Sequence, residues 1–382
     1  DFRSGIFRFK SDGSKMEFIA QFNNNTWGLG FNNAGDAFGS TANANPSFFC
    51  GLPQTVFGEE KRMSAKMIAN SAKIAPITPN IRQVDALGQY TAGAGHAFAT
   101  SAQFPEAWQG RSAFVCAPTG NLLGRFQLEE AGSGFWAKNA YNFVASADEW
   151  FSPVAAEVGP DGNVWIADWY NFIIQHNPAP RVDRGGFAGV TGKGNAHVNP
   201  NRDKQHGRIY RVVPTKVKTT TVNTPQITSL ADATREQLVT ALGSENLFWR
   251  QTAQRLLVES KDELRQLVKS GGATAIHALW ALEGLGELDR ETHQHALLSS
   301  DAVLKRNAIK AIPNDDVGLQ LFFDTAVVTA KNPQTRLAAF AKLAAFPKSE
   351  TISRAATELM KNPENIEDEW LNLALSAAGS SQ

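Results

Sequence analysis

The sequence predicts two unlike domains, an all-β part built from propeller-type blades followed by an all-α solenoid. Three features carry that expectation: a turn–strand–Asx pattern over residues 157–171, a change of composition near residue 215, and a helical repeat starting at Arg250.

The first feature reads EVGPDGNVWIADWYN. Gly159, Pro160, Asp161 and Gly162 are turn formers, so the chain can reverse there at little steric cost. Val164 to Ala167 is then a strand. Its β-branched and aromatic residues and near-continuous apolarity suit a strand covered on both faces, as in a propeller blade. Asp168 and Asn171 fall where this strand ends. Either their short side chains tie the strand end to its own turn, or they hold a ligand or cation.

Upstream, short strands alternate with turns. Gly5–Lys10 and Glu17–Phe22 flank an Asp-Gly turn at Ser11–Ser14, the signature of a hairpin. Thr26–Asn32 and Ala37–Thr41 flank the turn NAGD. A long excursion, Asn43 to Tyr90, follows, with a helical middle expected over Glu59–Ser71. Strands resume at His96–Ser101, Ser112–Pro118, Asn121–Glu129 and Phe135–Asn139, and the part closes with His206–Val213. About three blades are expected, and a ring needs at least about four, with six common, so the chain holds part of a ring.

Composition narrows the function classes. A chain of 382 residues has room for two or more domains, and 37 basic residues balance 37 acidic ones. Bulk charge therefore selects neither nucleic acid nor a membrane surface as partner. No apolar run approaches the roughly 18 residues of a membrane span, and no signal peptide is present. The opening DFRSGIFRFK lacks Met and looks like strand, which suggests a mature product or a fragment that begins inside a domain. Cys50 and Cys116 are too few for a disulfide framework and either pair or stay thiols. Without a Cys-x-x-Cys-His, no c-type haem attaches to this chain.

Gly, Asn, Phe and Trp give way to Ala and Leu near residue 215. The Thr-rich stretch Lys216–Thr228 reads as a linker, so the expected division is residues 1–214, a linker over 215–228, and a helical part over 229–382. In that part Arg250-x-x-Ala253-x-x-x-Leu257 recurs as Lys305-x-x-Ala308-x-x-x-Ile312 and Arg336-x-x-Ala339-x-x-x-Leu343, with a degenerate copy at Ala275, Ala278 and Leu282. Units of about 30 residues fit helix pairs of the HEAT type, with the small residue letting neighbours approach. The row Phe248, Thr252, Leu256 and the row Trp249, Ala253, Leu257 predict one broad buried face. His293 and His295 stand two apart and so point in different directions on a helix, an unsuitable pair for a metal.

Four stretches carry a family resemblance: NNTWGLGFNNAGDAFGSTANANPSFF, GQYTAGAGHAFATSAQFPEAWQGRSAFVCAPTGNLLGRF, SADEWFSPVAAEVGPDGNVWIADWYNFIIQHNP and RDKQHGRIYRV. Together they resemble the membrane-bound dehydrogenase family of planctomycetes, verrucomicrobia and relatives. Nearly all of residues 1–380 takes part. The resemblance implies a large secreted bacterial protein, periplasmic or extracellular, with a sorbosone- or glucose-dehydrogenase-like six-bladed propeller. HEAT repeats and often a cytochrome c domain would follow that propeller. The chain departs from the family in lacking the first blades and the haem domain.

The chemistry implied is oxidation of sugars or related alcohols with pyrroloquinoline quinone and calcium, electrons passing to a cytochrome. That chemistry needs a base for the hydroxyl proton and cations for the quinone carboxylates. His96, at the end of the Gly-rich AGAGH, is one candidate base at the rim, and His206 is another. His176 precedes NPAP. Arg202, Asp203, Lys204, His206 and Arg208 cluster before the last strand, with Arg202 and Arg208 as cofactor-binding candidates. Trp27, Asn43 and Asn45 resemble a sugar-binding set of an aromatic platform and amides. Asp168 and Asn171 are the metal candidates. Asp148 and Glu149 read as a polar turn entering a blade rather than a glycosidase pair.

Three function classes stay open, because propellers host all of them. One is the quinoprotein-type dehydrogenase, another a calcium-dependent hydrolase or lactonase. The third is a non-catalytic extracellular scaffold whose helical repeats dock protein partners.

Overall fold

The structure of the protein, a computed structural model, describes residues 4–9, 13–14, 16–22, 24–57, 66–79, 81–83, 86–175, 202–215, 227–257 and 261–380. His176, most of the expected linker and part of the first hairpin turn lie outside the described residues.

Among the described residues, antiparallel sheets are followed by 11 α-helices. The sheets come in chain order: β1 (Gly5–Phe9) with β2 (Met16–Gln21); β3 (Thr26–Phe31), β4 (Ala37–Thr41) and β5 (Phe48–Phe49); β6 (Ala94–Phe98), β7 (Ser112–Ala117), β8 (Leu122–Ala131) and β9 (Gly134–Ala145); and β10 (Pro153–Val158), β11 (Val164–Asp168) and β12 (Arg208–Val212). Each sheet packs on the next, β1 on β3, β3 and β4 on β6, and β6 and β7 on β10. The interface of the last two sheets is filled by Phe104, Phe114, Leu123, Val164 and Ile166.

The β3–β6 approach explains the alternating glycines of TWGLGF. Gly28 and Gly30 lie on the backbone of Gly95 and His96, and a Cβ at Gly30 would stand 1.7 Å from the His96 carbonyl oxygen. Trp27, Leu29 and Phe31 occupy the opposite, exposed face.

One strand expectation and one helix expectation are corrected. β11 is not covered on both faces: Val164, Ile166 and Asp168 are buried while Trp165 and Ala167 are exposed, the alternation of a half-buried strand. Residues 66–71, expected to finish a helix, are extended. Met67 bridges Phe48, Ala69 bridges Ala137, and Asn70 N–H donates to the Ala137 carbonyl at 2.8 Å, so backbone pairing with β9 outcompetes helix there. Residues 58–65 of that expected helix lie outside the described set.

The repeat marks the helices α2 (Leu247–Leu256), α4 (Gly272–Gly284), α6 (Ala302–Ala311) and α8 (Pro333–Ala345), which pack on one another in chain order, with α11 (Glu369–Gly379) last. The small residues Ala253, Ala278, Ala308 and Ala339 are all fully buried, as close helix packing requires. α1 (Arg235–Ala241), α3 (Lys261–Val268), α5 (Arg290–Leu298) and α9 (Glu350–Leu359) flank this row; α7 (Asp316–Asp324) and α10 (Pro363–Glu367) complete the set. Thr234, Asn246, Asp289, Asp301, Asp315, Asn332, Ser349, Asn362 and Asp368 each cap a helix through the side chain, worth about 1 kcal/mol apiece. Of the two rows expected to be buried, Trp249, Ala253 and Leu257 are; Phe248 is 38% exposed and its row forms the margin. His293 is buried, with its Nε2 donating to the Ala308 carbonyl at 2.8 Å, while His295 faces solvent.

One hydrophobic core joins sheets and helices, running from Phe38, Val115 and Phe126 to Leu279, Phe340 and Leu375. A polar seam crosses it. Asp36, in the β3–β4 turn, is 5% exposed in its side chain and pairs with Arg306 at 3.1 Å and Lys310 at 3.2 Å. Further along, Asn246 Nδ2 donates to the carbonyls of Gly159 (2.9 Å) and Pro160 (3.2 Å), and Trp249 Nε1 donates to Pro160 (2.8 Å). No helix among the described residues is long and apolar enough to cross a membrane.

Candidate functional site

The ends of the last sheet form a rim. Asp168 closes β11 opposite Arg208, the first residue of β12. The Asp168 Oδ1 atom accepts the N–H groups of Ser152 and Tyr170, both at 2.8 Å, and Ser152 Oγ accepts the Asn171 N–H at 2.9 Å. Asn171 Nδ2 donates to the Asp203 carbonyl at 2.8 Å. The Asp-x-x-Asn pair thus ties the strand end to its turn and to the segment before β12. Tyr170, between the two, is held at a left-handed φ of 53°, a conformation that costs a non-glycine residue of order 1 kcal/mol and clusters at functional sites.

On this base stand the groups with chemistry. Asp203 Oδ1 accepts the N–H of Gln205 at 2.7 Å and of His206 at 3.2 Å, and its Oδ2 lies 2.6 Å from His206 Nδ1. The Gln205 N–H, joined by the His206 ring and N–H, holds the Asp203 carboxyl below its ordinary value. An ionised carboxylate only accepts, so Nδ1 carries a proton, and in the neutral ring Nε2 is the nitrogen with the free lone pair. The Asp203 side chain is 17% exposed and that of His206 69%, so the carboxylate is sheltered and the imidazole open.

Aromatic rings stand on the same strand ends. The Arg208 guanidinium lies 3.6 Å over the Tyr170 ring and donates to Asp148 Oδ2 and Tyr210 Oη, each at 3.2 Å. Trp150 stands 5.5 Å from Tyr170 between centroids, and the Arg202 guanidinium 5.1 Å over Trp169. Such cation–π contacts keep the cations fixed while their faces stay reachable.

The rim therefore brings Asp168, Asn171, Arg202, His206 and Arg208 together. The other nominated residues lie on earlier sheets. His96 is corrected from a rim position to the core: its side chain is fully buried, stacked at 5.8 Å on Phe38, with Nε2 2.8 Å from Ser47 Oγ. Burial pushes its pKa down to about 3, leaving it neutral. The reason is that β6 lies beneath β3, so the glycines of AGAGH serve strand contact instead of access. Trp27 is 65% exposed on the outer face of β3. The Asn43 and Asn45 carbonyls accept Thr41 Oγ1 (3.0 Å) and the Thr41 N–H (2.9 Å), shaping the turn after β4. Trp150, Trp169 and Tyr170 were not nominated; the aromatic pair inside the Asp-x-x-Asn spacing was the available signal. Cys50 and Cys116 are both free thiols.

Among the described residues no group of three or more His, Cys, Asp or Glu side chains is arranged to hold a metal. Asp168 Oδ2 and Asn171 Oδ1 are buried acceptors without hydrogen-bond partners. They would supply two of the six to eight oxygens that calcium takes, the rest falling to backbone carbonyls or water. A carboxylated cofactor fits better: Arg202 Nη1 is a buried donor without a partner, in the same rim as Arg208.

A protein-family signature described as a domain of unknown function (DUF7133) matches residues 1–216. Two solved structures are similar over part of the chain. One is an oxidoreductase (glucose dehydrogenase) of Thermus thermophilus, 16% identical with a TM-score of 0.28, covering 51% of this chain and 46% of its own. The other is the soluble aldose sugar dehydrogenase of Escherichia coli in the apo form, 17% identical with a TM-score of 0.25, covering 42% of this chain and 46% of its own. The chain thus spans about half the length of either structure. No curated protein matches it.

Proposed function

The chain belongs to the DUF7133 family, and from that premise we propose that its rim oxidises a sugar or related alcohol, with His206 as the base. The observation that carries this reading is the Asp203–His206 pair, a sheltered carboxylate orienting an open imidazole. It sits beside fixed cations and aromatic faces, in sheets read as blades of a propeller.

In this reading a substrate hydroxyl donates its proton to His206 Nε2 while the carbinol carbon gives up hydride, leaving the carbonyl product. Asp203 stabilises the imidazolium that forms, as a carboxylate does beside a catalytic histidine. The Trp150 and Tyr170 faces take the apolar side of the sugar ring, and Arg208 orients its hydroxyls. Pyrroloquinoline quinone, when bound, supplies the two-electron acceptor, its carboxylates held by Arg202 and Arg208. The enzyme works in the periplasm or outside the cell, hands electrons to a cytochrome, and docks protein partners on its HEAT-like helices.

The test is dye reduction by the full-length protein loaded with the quinone, over a panel of sugars. A turnover that falls about 10²- to 10⁴-fold in His206→Asn, with quinone binding kept, is the expected result. No reduction with any sugar, together with no quinone binding, overturns the reading.

A further inference from the structure

A second concavity lies far from the rim in character. Where the turn between β3 and β4 meets α2, α4 and α6, a cleft of about 720 Å³ opens, the size of sites that enclose a small organic ligand. Gly35, at φ 74°, lets the turn pass close to α6, where a Cβ on it would stand 3.4 Å from Asn307 Oδ1.

The cleft is rich in side-chain amides, and a buried network fixes which way they point. Arg250 Nε donates to His277 Nε2 at 3.3 Å, so the neutral ring carries its proton on Nδ1, which donates to Gln254 Oε1 at 2.6 Å. Burial, aided by the Arg250 charge, pushes the His277 pKa down to about 4 and keeps the ring neutral. Arg250 Nη2 donates to Asn33 Oδ1 at 2.8 Å. Both amides thus have their oxygens occupied; the Gln254 NH₂ is left for the cleft, while Asn33 Nδ2 turns toward Gly110, where a Cβ would stand 3.1 Å from it. Trp280 is pinned by its Nε1 donating to Asn307 Oδ1 at 2.8 Å, and Asn307 Nδ2 is held by the carbonyls of Ala34 (3.1 Å) and Val303 (2.9 Å). Among the described residues, Gln251 adds an exposed amide with no protein partner and Arg255 is the one charged residue of the lining.

A wall of oriented donors beside an immobilised indole calls for a ligand that is dense in oxygen acceptors and has an apolar face. Phosphate or nucleotide recognition would need more than a single cation, and an apolar ligand would leave the amide donors unpaired. We propose that this cleft binds a saccharide, read by Gln251 and Gln254 against Trp280. The proposal stands on its own residues and does not need the rim's chemistry.

The full chain is titrated with maltotriose, xylotriose, cellotriose and trigalacturonate, followed by indole fluorescence and calorimetry. Saturable binding of at least one of them is expected, weakened about tenfold in Gln254→Ala and unchanged in His206→Asn. Arg255→Ala separates the ligand types, weakening trigalacturonate and sparing the neutral sugars. Gln254 belongs to a buried network, so Gln251→Trp, which fills the mouth without touching it, is the second variant and is expected to abolish binding. Absence of binding by all four sugars, or binding that survives both Gln251→Trp and Gln254→Ala, overturns the proposal.

Discussion

Asp368 takes two hydrogen bonds from Ser133, a residue 235 positions earlier in the chain: the Ser133 N–H reaches Oδ2 at 2.7 Å and its hydroxyl reaches Oδ1 at 2.6 Å. The same Oδ1 accepts the N–H groups of Trp370 and Leu371, each at 3.0 Å, as the cap of α11. One carboxylate therefore starts the last helix and holds the tip of the β8–β9 hairpin. Asp368→Ala is expected to cost about 2 kcal/mol, the cap plus a buried bond left unmade, read as a lower urea midpoint. Ser133→Ala should cost less in that background than alone. Strict additivity of the two would show that they act separately.

The Asp36–Arg306 pair has side chains 5% and 7% exposed. Removing one partner of a buried pair strands the other, so Asp36→Ala is expected to lose about 3–5 kcal/mol. Asp36→Ala combined with Arg306→Met removes both charges and should recover much of that loss. Chemical denaturation of the two variants decides it, and a double variant no more stable than Asp36→Ala would sink the argument.

His96 and His277 are held neutral by burial, with pKa values of about 3 and about 4. An unfolded histidine titrates near 6.5, so between that value and the folded values the unfolded chain binds more protons. Stability is then expected to be level above neutral pH and to fall as pH drops below about 6.5, by up to about 1.4 kcal/mol per pH unit for each histidine. Urea midpoints measured from pH 7 to 5 test this. His277→Asn should flatten the slope, and an unchanged slope counts against the assignment.

Local features were legible in the sequence. Turn residues such as Asp161 and Gly162 and the recurring Ala253, Ala278, Ala308 and Ala339 act within a few residues of themselves, and strands and helices fall where they suggest. Pairings across hundreds of residues were not legible. Nothing near Asn33 names Arg250, and nothing near Ser133 names Asp368, because each bond depends on how sheets and helices come to lie together. His96 shows the converse error. A glycine-rich approach reads equally well as ligand access or as strand-on-strand contact, and only the position of β3 decides between them. At the rim the residue types were visible, but the place of Asp203 beside the strand end is set by the Asn171 bond to its carbonyl and the bonds that tie Asp168, Ser152 and Asn171 together.

The carbonyls of Gly159 and Pro160 hold α2 at one end of the helical row, and Asp368 holds α11 to the β8–β9 tip at the other. Mechanically, the row is a beam pinned at both ends to different sheets. A load on the helices is shared between these end anchorages and the Asp36 seam at α6, and the beam cannot swing away from the sheets until all have given way. At the first anchorage the turn offers only main-chain oxygens, so the grip reads the shape of that turn and is indifferent to most of its side chains.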